Sequence, residues 1–231
     1  MEIKLAEDTI TFEELKDLSS WILTDQKLTK DVQTSSFENE FSKLLNVKHS
    51  IFTNSGSSSN LLMISALQEG NYLKNKIAIA AGVSWVTTVS PLIQLGYDVK
   101  LCDCDKNNLG IDVNHLDFLC KKYKPSLLII VHVLGHSNSI KEIQEICNKY
   151  DVILLEDACE ALGSKYENIN LGTFGAAGSF SFYYGHHIST IEGGMVTTND
   201  SDLHKIMLSI RSHGWSRDMK KIEIEDFRRK Y

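Results

Sequence analysis

Leu127-Leu128-Ile129-Ile130-Val131-His132-Val133 is a short, almost wholly apolar run, and Val152-Ile153-Leu154-Leu155 is another. Between them, residues Ser139–Tyr150 read as a helix. A buried strand, a helix and a second buried strand in that order form a crossover unit, whose two strands lie parallel. The same alternation continues toward the N-terminus. Apolar runs at Ser50–Thr53, Lys76–Ala80 and Asp98–Cys102 are separated by helical stretches at Ser58–Gln68, Val86–Leu95 and Val113–Lys122. Toward the C-terminus, strand candidates at Gly178–Tyr183 and Met195–Thr198 precede a helix from Asp200 to about Arg211. The pattern predicts an α/β fold, a mainly parallel sheet flanked by helices.

Two helices are expected ahead of this core. Thr11 with Glu14 has the spacing of a capping box opening a helix through Leu23. Ser35 with Glu38 has the same spacing, followed by Phe37, Phe41, Leu44 and Leu45 at helical intervals. There is no repeat, low-complexity tract or linker, and only two prolines occur in 231 residues. The chain therefore reads as one domain: N-terminal helices in 1–47, an α/β core in 48–217, and a charged end in 218–231.

The chain is 42% hydrophobic and 23% charged, the balance of a globular protein with a sizeable core. No apolar run approaches the roughly 20 residues that span a bilayer. The acidic start, MEIKLAEDTITFEEL, lacks the apolar segment of a secretory signal, so a cytoplasmic location is expected. A net charge of −6, with FRRKY at 227–231 the one basic block, speaks against a nucleic-acid partner. Five cysteines, an odd number at irregular spacing, do not make a disulfide framework. Cys102 and Cys104 lack metal-ligand spacing, and no metal site is expected.

Three stretches carry candidate chemistry. Asn54-Ser55-Gly56-Ser57-Ser58-Ser59-Asn60 joins a strand to a helix, where free N–H groups and small residues can cradle a phosphate or merely cap the helix. Glu156-Asp157-Ala158-Cys159-Glu160 follows a buried strand, at the end where open parallel sheets collect ligands. A carboxylate there can pair with a pyridinium nitrogen, or Asp157 can cap a helix. Ser179-Phe180-Ser181-Phe182-Tyr183-Tyr184-Gly185-His186-His187 delivers two histidines into a loop that ends at Glu192-Gly193-Gly194. Imidazole in such a loop can act as a general base. Trp85, at a helix start after another strand, can stack on a planar ligand.

In order, SGSSS (55–59), SWVTT (84–88), EDACEALGS (156–164) and SFSFYYGHHISTIEGGMVTTND (179–200) resemble the pyridoxal-phosphate sugar aminotransferases of the DegT/DnrJ/EryC1/StrS family. The likeness runs from about Phe37 to about Arg217 and implies the large domain of a type I aminotransferase-like fold. It implies that Gly56 and Ser57, helped by Ser181, bind the phosphate of pyridoxal 5'-phosphate or pyridoxamine 5'-phosphate. Trp85 would cover the ring and Asp157 would hold its nitrogen. Glu160 stands where most of the family has a ring-contacting glutamine.

His186 falls where the family carries its cofactor-anchoring lysine. Imidazole can move protons but cannot form that covalent anchor. With HHISTIEGG and Glu160, this resembles the sugar 3-dehydratase branch. The implied reaction removes the C3 hydroxyl of GDP-4-keto-6-deoxy-D-mannose, with His186 as catalytic base and L-glutamate resetting the cofactor. A 3,6-dideoxysugar of a bacterial surface polysaccharide would be the destination. A related histidine branch on CDP-sugars has cluster cysteines after the histidine; here all five precede it.

Family members form homodimers and carry a smaller C-terminal domain with no counterpart in this sequence. Two other readings stay open: an aminotransferase using another lysine, with Lys165 nearest in sequence, and a non-catalytic remnant. His213, Gly214, Trp215 and Arg217 are candidates to face substrate, without assigned roles.

Overall fold

Each residue of strand β4 (Leu127–Val131) is buried, and its side chains alternate between two apolar clusters. Leu128 and Ile130 enter one cluster, Leu127 and Ile129 the other. A strand apolar on both faces needs cover on both, so β4 sits inside a three-layer arrangement. The computed structural model describes residues 10–24, 27–216, 219 and 224–225. The acidic residues 1–9, Arg217 and the basic block 227–231 lie outside the described residues.

The remaining strands of the main sheet are β1 (His49–Thr53), β2 (Ile77–Ala81), β3 (Asp98–Cys102), β5 (Ile153–Asp157), β8 (Ala177–Ser181) and β9 (Gly194–Thr198). Their order is β1-β9-β8-β5-β4-β2-β3. From β3 to β8 each neighbouring pair is parallel. Strand β9 pairs antiparallel with β8 and with β1, so it alone opposes the common direction. The small strands β6 (Lys165–Tyr166) and β7 (Ile169–Asn170) form a separate hairpin.

Helices α2 (Val32–Leu45), α5 (Val113–Tyr123) and α6 (Ile140–Tyr150) cover one face through Phe41, Leu45, Leu116, Ile143 and Cys147. Helices α3 (Gly56–Glu69), α4 (Val86–Gln94) and α7 (Ser201–Arg211) cover the other through Met63, Leu67, Leu92, Leu203 and Met207. Helix α1 (Phe12–Ile22) has no buried residue. No helix among the described residues is long and apolar enough to cross a membrane.

The capping box at Thr11 is present in both directions. Thr11 N donates to Glu14 Oε2 at 2.6 Å, and Glu14 N donates to Thr11 Oγ1 at 3.3 Å. The one expected at Ser35 is not formed. Helix α2 starts a turn earlier, with Asp31 at its N-cap, and Ser35 lies inside. Glu38 instead accepts from Phe52 N at 2.9 Å and pairs with Arg211. A strand edge and a guanidinium from α7 outcompete the local cap. Within α2, Leu44 points outward while Phe41 and Leu45 are buried.

Candidate active site

Strand β5 ends on Asp157, and no helix follows; the chain turns through Ala158–Gly163. The helix-cap reading of Asp157 is therefore excluded. Its carboxylate is 4% exposed and meets donors from three sides. Oδ2 accepts from Thr88 Oγ1 at 2.7 Å and from Asn60 Nδ2 at 2.8 Å, while Oδ1 accepts from Cys159 N at 3.2 Å. Ser179 Oγ donates to Asn60 Oδ1 at 2.6 Å. Buried polar atoms at these positions are matched, not orphaned.

The serine turn sits beside this group. Helix α3 begins at Gly56, two residues before the expected Ser58, with Ser55 as its cap accepting from Ser58 N at 3.1 Å. A side chain at Gly56 would place its Cβ 2.6 Å from Cys159 Sγ and 2.8 Å from Ser181 Cβ. Strand β9 passes just beneath: a Cβ at Gly194 would strike the backbone of Ser55 and Gly56. These two glycines let the helix start, the end of β8 and the start of β9 converge. Ser57 Oγ donates to Thr87 Oγ1 at 2.8 Å, clasping α3 to α4. Trp85 caps α4 from outside and is 73% exposed.

His186 lies in the loop between β8 and β9, its N–H bonded to Tyr183 O at 2.9 Å. Burial lowers its pKa from the ordinary 6.5. Of its charged neighbours, Glu160 opposes that shift, His187 adds to it, and Asp157 opposes it. The structure thus brings His186 within electrostatic reach of both acids. Glu160 is exposed, and its Oε2 accepts from Leu134 N at 2.7 Å. Leu134 is held at φ 52° in the left-handed region, a strained position for leucine.

The named residues therefore gather at the carboxyl ends of β1, β2, β5 and β8. Lys165 is exposed on the β6–β7 hairpin, outside the main sheet. Asn60, Thr88 and Ser179 lie within the stretches singled out in the sequence, but none was given a role there. One signal was available: Asn60 is the polar residue against which the apolar run Leu61-Leu62-Met63-Ile64 begins. A cleft of about 560 Å³ lies on the flank of α3 between Leu61, Phe52 and Arg211; it reaches Asn54 and Ser58 of the serine turn but not Gly56, Ser57, Asp157 or His186. We place the site by its donor set. Cys102, Cys120 and Cys147 are buried thiols, with burial pushing Cys102 and Cys147 up to about 12.

That donor set suits a phosphorylated pyridine. It comprises a helix start, a hydroxyl at Ser181, a buried carboxylate whose Oδ1 accepts one long backbone bond, and an exposed indole. The chain is 39% identical over 220 residues to a GDP-4-keto-6-deoxy-D-mannose 3-dehydratase of Escherichia coli O55:H7, covering 94% of this chain and 56% of that one. It is 34% identical to a UDP-4-amino-4,6-dideoxy-N-acetyl-beta-L-altrosamine transaminase of Helicobacter pylori, over 84% of this chain and 51% of that one. A crystal structure of GDP-4-keto-6-deoxymannose-3-dehydratase with a trapped PLP-glutamate geminal diamine superposes with a TM-score of 0.89 at 38% identity. It covers 95% of this chain and 57% of the other. The chain spans about half the length of the curated relatives it matches. A model of the DegT/DnrJ/EryC1/StrS aminotransferase family matches residues 9–227, and this chain belongs to that family.

Proposed function

We propose that this chain carries the cofactor site of a nucleotide-sugar 3-dehydratase dependent on pyridoxal or pyridoxamine phosphate. The substrate would be GDP-4-keto-6-deoxy-D-mannose, with L-glutamate restoring the amine form of the cofactor. The observation that carries the reading is His186 in the β8–β9 loop, on the same end of the sheet as the buried Asp157 and close enough to feel its charge and that of Glu160. The 3-dehydratase relative, and the solved dehydratase holding PLP with glutamate, support it. The active species would be a homodimer in the cytoplasm, serving a surface polysaccharide.

When bound, pyridoxamine phosphate would supply an amine for the C4 ketone and a ring that can hold the electrons released on loss of the methylene proton and return them as the C3 hydroxyl leaves. The N–H groups of Gly56 and Ser57 at the start of α3, with Ser181 Oγ, would hold the phosphate. Asp157 would offer Oδ1 to the ring nitrogen. Trp85 would lie over the ring and keep water from one face. Glu160, fixed by Leu134 N, would flank the ring on the side of His186. His186 would take a proton from the cofactor methylene and return one to the departing hydroxyl.

Because burial lowers its pKa, His186 is uncharged near pH 7 and ready to accept that proton. The rate should therefore fall on acidification, with a midpoint below pH 6.5. His186→Asn should abolish dehydration, a loss of at least about 100-fold, while cofactor uptake persists. Both are measured by absorption of the bound cofactor and product analysis with GDP-4-keto-6-deoxymannose. L-glutamate should convert the aldehyde band to the pyridoxamine band, and borohydride beforehand should leave no covalent adduct. A borohydride-stable lysine adduct would instead support the transaminase reading that the Helicobacter pylori relative raises.

A further inference from the structure

Asn60 sits one helical turn after Gly56, on the same side of α3, and is 1% exposed. Its amide has two N–H bonds to place. One goes to Asp157 Oδ2 at 2.8 Å, and the other to Thr87 O at 3.3 Å. Thr87 O is available because Pro91, four residues on inside α4, has no N–H to give it. The amide oxygen faces the Ser179 hydroxyl at 2.6 Å. Turning the amide over would set its oxygen against two acceptors, so its orientation is fixed by its surroundings.

Thr88, fully buried on α4, donates to the same Asp157 oxygen at 2.7 Å. Two donors occupy both lone pairs of Oδ2. Oδ1 accepts one long bond from Cys159 N, and the weakly donating Cys159 thiol also lies beside the carboxylate, so a stronger donor can still be taken there. The four side chains come from α3, α4, β5 and β8. The carboxylate is thus clamped on one oxygen by elements that also build the phosphate turn.

We propose that Asn60 and Thr88 are positioning residues: by occupying Asp157 Oδ2 they hold the carboxylate in the rotamer that presents Oδ1 to the ring nitrogen of the bound cofactor. This rests on the cofactor reading given under Proposed function. Asn60 acts through Asp157 and need not touch the cofactor. Losing either donor frees the carboxylate to turn, and the ring nitrogen then holds its proton less firmly. Phosphate binding at Gly56 and Ser57 is untouched.

The test uses the full chain loaded with pyridoxamine phosphate carrying nitrogen-15 in the ring. The ring-nitrogen resonance is titrated with pH in the unaltered chain and in Asn60→Leu, Thr88→Val and Thr88→Ser. The first two variants should lower the ring-nitrogen pKa by about one unit, a tenfold loss in proton affinity. Thr88→Ser, which keeps the hydroxyl, should titrate like the unaltered chain. A role confined to packing would lower melting temperature and leave the titration in place. Thr88→Val is nearly isosteric and decides the matter alone if Asn60→Leu does not fold. Cofactor uptake with an unchanged titration in that variant overturns the positioning role only. Failure of the unaltered chain to take up cofactor overturns the proposed function and this role together.

Discussion

Glu156 and Asp157 are neighbours in β5, yet alternation along the strand sends them into different surroundings. Glu156 is wholly buried and accepts four hydrogen bonds. Phe174 N and Gly175 N reach Oε1 at 2.6 and 2.7 Å; Gly172 N and His132 Nε2 reach Oε2, both at 2.9 Å. Asn138 Nδ2 faces His132 Nδ1 at 3.2 Å, which puts the imidazole hydrogen on Nε2. His132 N also donates to Asp157 O at 3.0 Å, so this knot fixes the backbone that carries the site acid. In Glu156→Gln an amide NH₂ would confront N–H donors in a dry interior. We expect a loss of about 3 kcal/mol in urea unfolding at pH 7, with the transition still cooperative. The residues alone showed three acids after a buried strand, and only the family resemblance singled out Asp157 and Glu160. Burial separates them: Glu156 is enclosed and braces a loop, Asp157 is nearly enclosed, and Glu160 is exposed and holds Leu134 N.

At the junction of β1 and α7, His49 and His204 stack with ring centroids 4.1 Å apart, and His49 Nε2 lies 2.8 Å from Ser201 Oγ. Burial pushes the pKa of His204 down to about 3, and positive charge on His49, Arg211 and Lys205 adds to the shift. The unfolded chain binds a proton at this residue near the ordinary 6.5, while the folded chain refuses it until about pH 3. Stability is therefore lost as pH falls from about 6.5 toward 3, by about 2 kcal/mol at pH 5. Denaturant midpoints at pH 7 and pH 5 measure it, and His204→Gln should flatten most of the difference. Elements differed in how far sequence alone disclosed them. The strands of the parallel core are apolar runs without alternation, and their positions followed within a residue or two. The Ser35 spacing misled because Glu38 answers to Phe52 and to Arg211, 173 residues distant.

A ligand that binds only the folded molecule stabilises all of it. Pyridoxal phosphate at about 100 times its dissociation constant should add roughly 2.7 kcal/mol, raising Tm by about 5–10 °C. His186→Asn should show the same rise, since the phosphate and ring contacts proposed above involve other residues; calorimetry with and without cofactor checks both. The sheet-and-helix layering was legible because it is written in local periodicity. The Asn60–Asp157 and Ser179–Asn60 bonds were not, because their partners are 97 and 119 residues apart in sequence. Such contacts exist only once the sheet has brought α3, α4, β5 and β8 to one edge.

Strand β1 is made well before its neighbour in the sheet, β9, the last strand among the described residues. At about 5–20 residues per second, on the order of ten seconds of translation separate the two. During that interval HSIFT is an unpaired edge, and the serine turn has no floor beneath it. The nascent chain consequently needs shelter for β1 until β9 is made, and the serine turn gains its floor in the same step that closes the histidine loop.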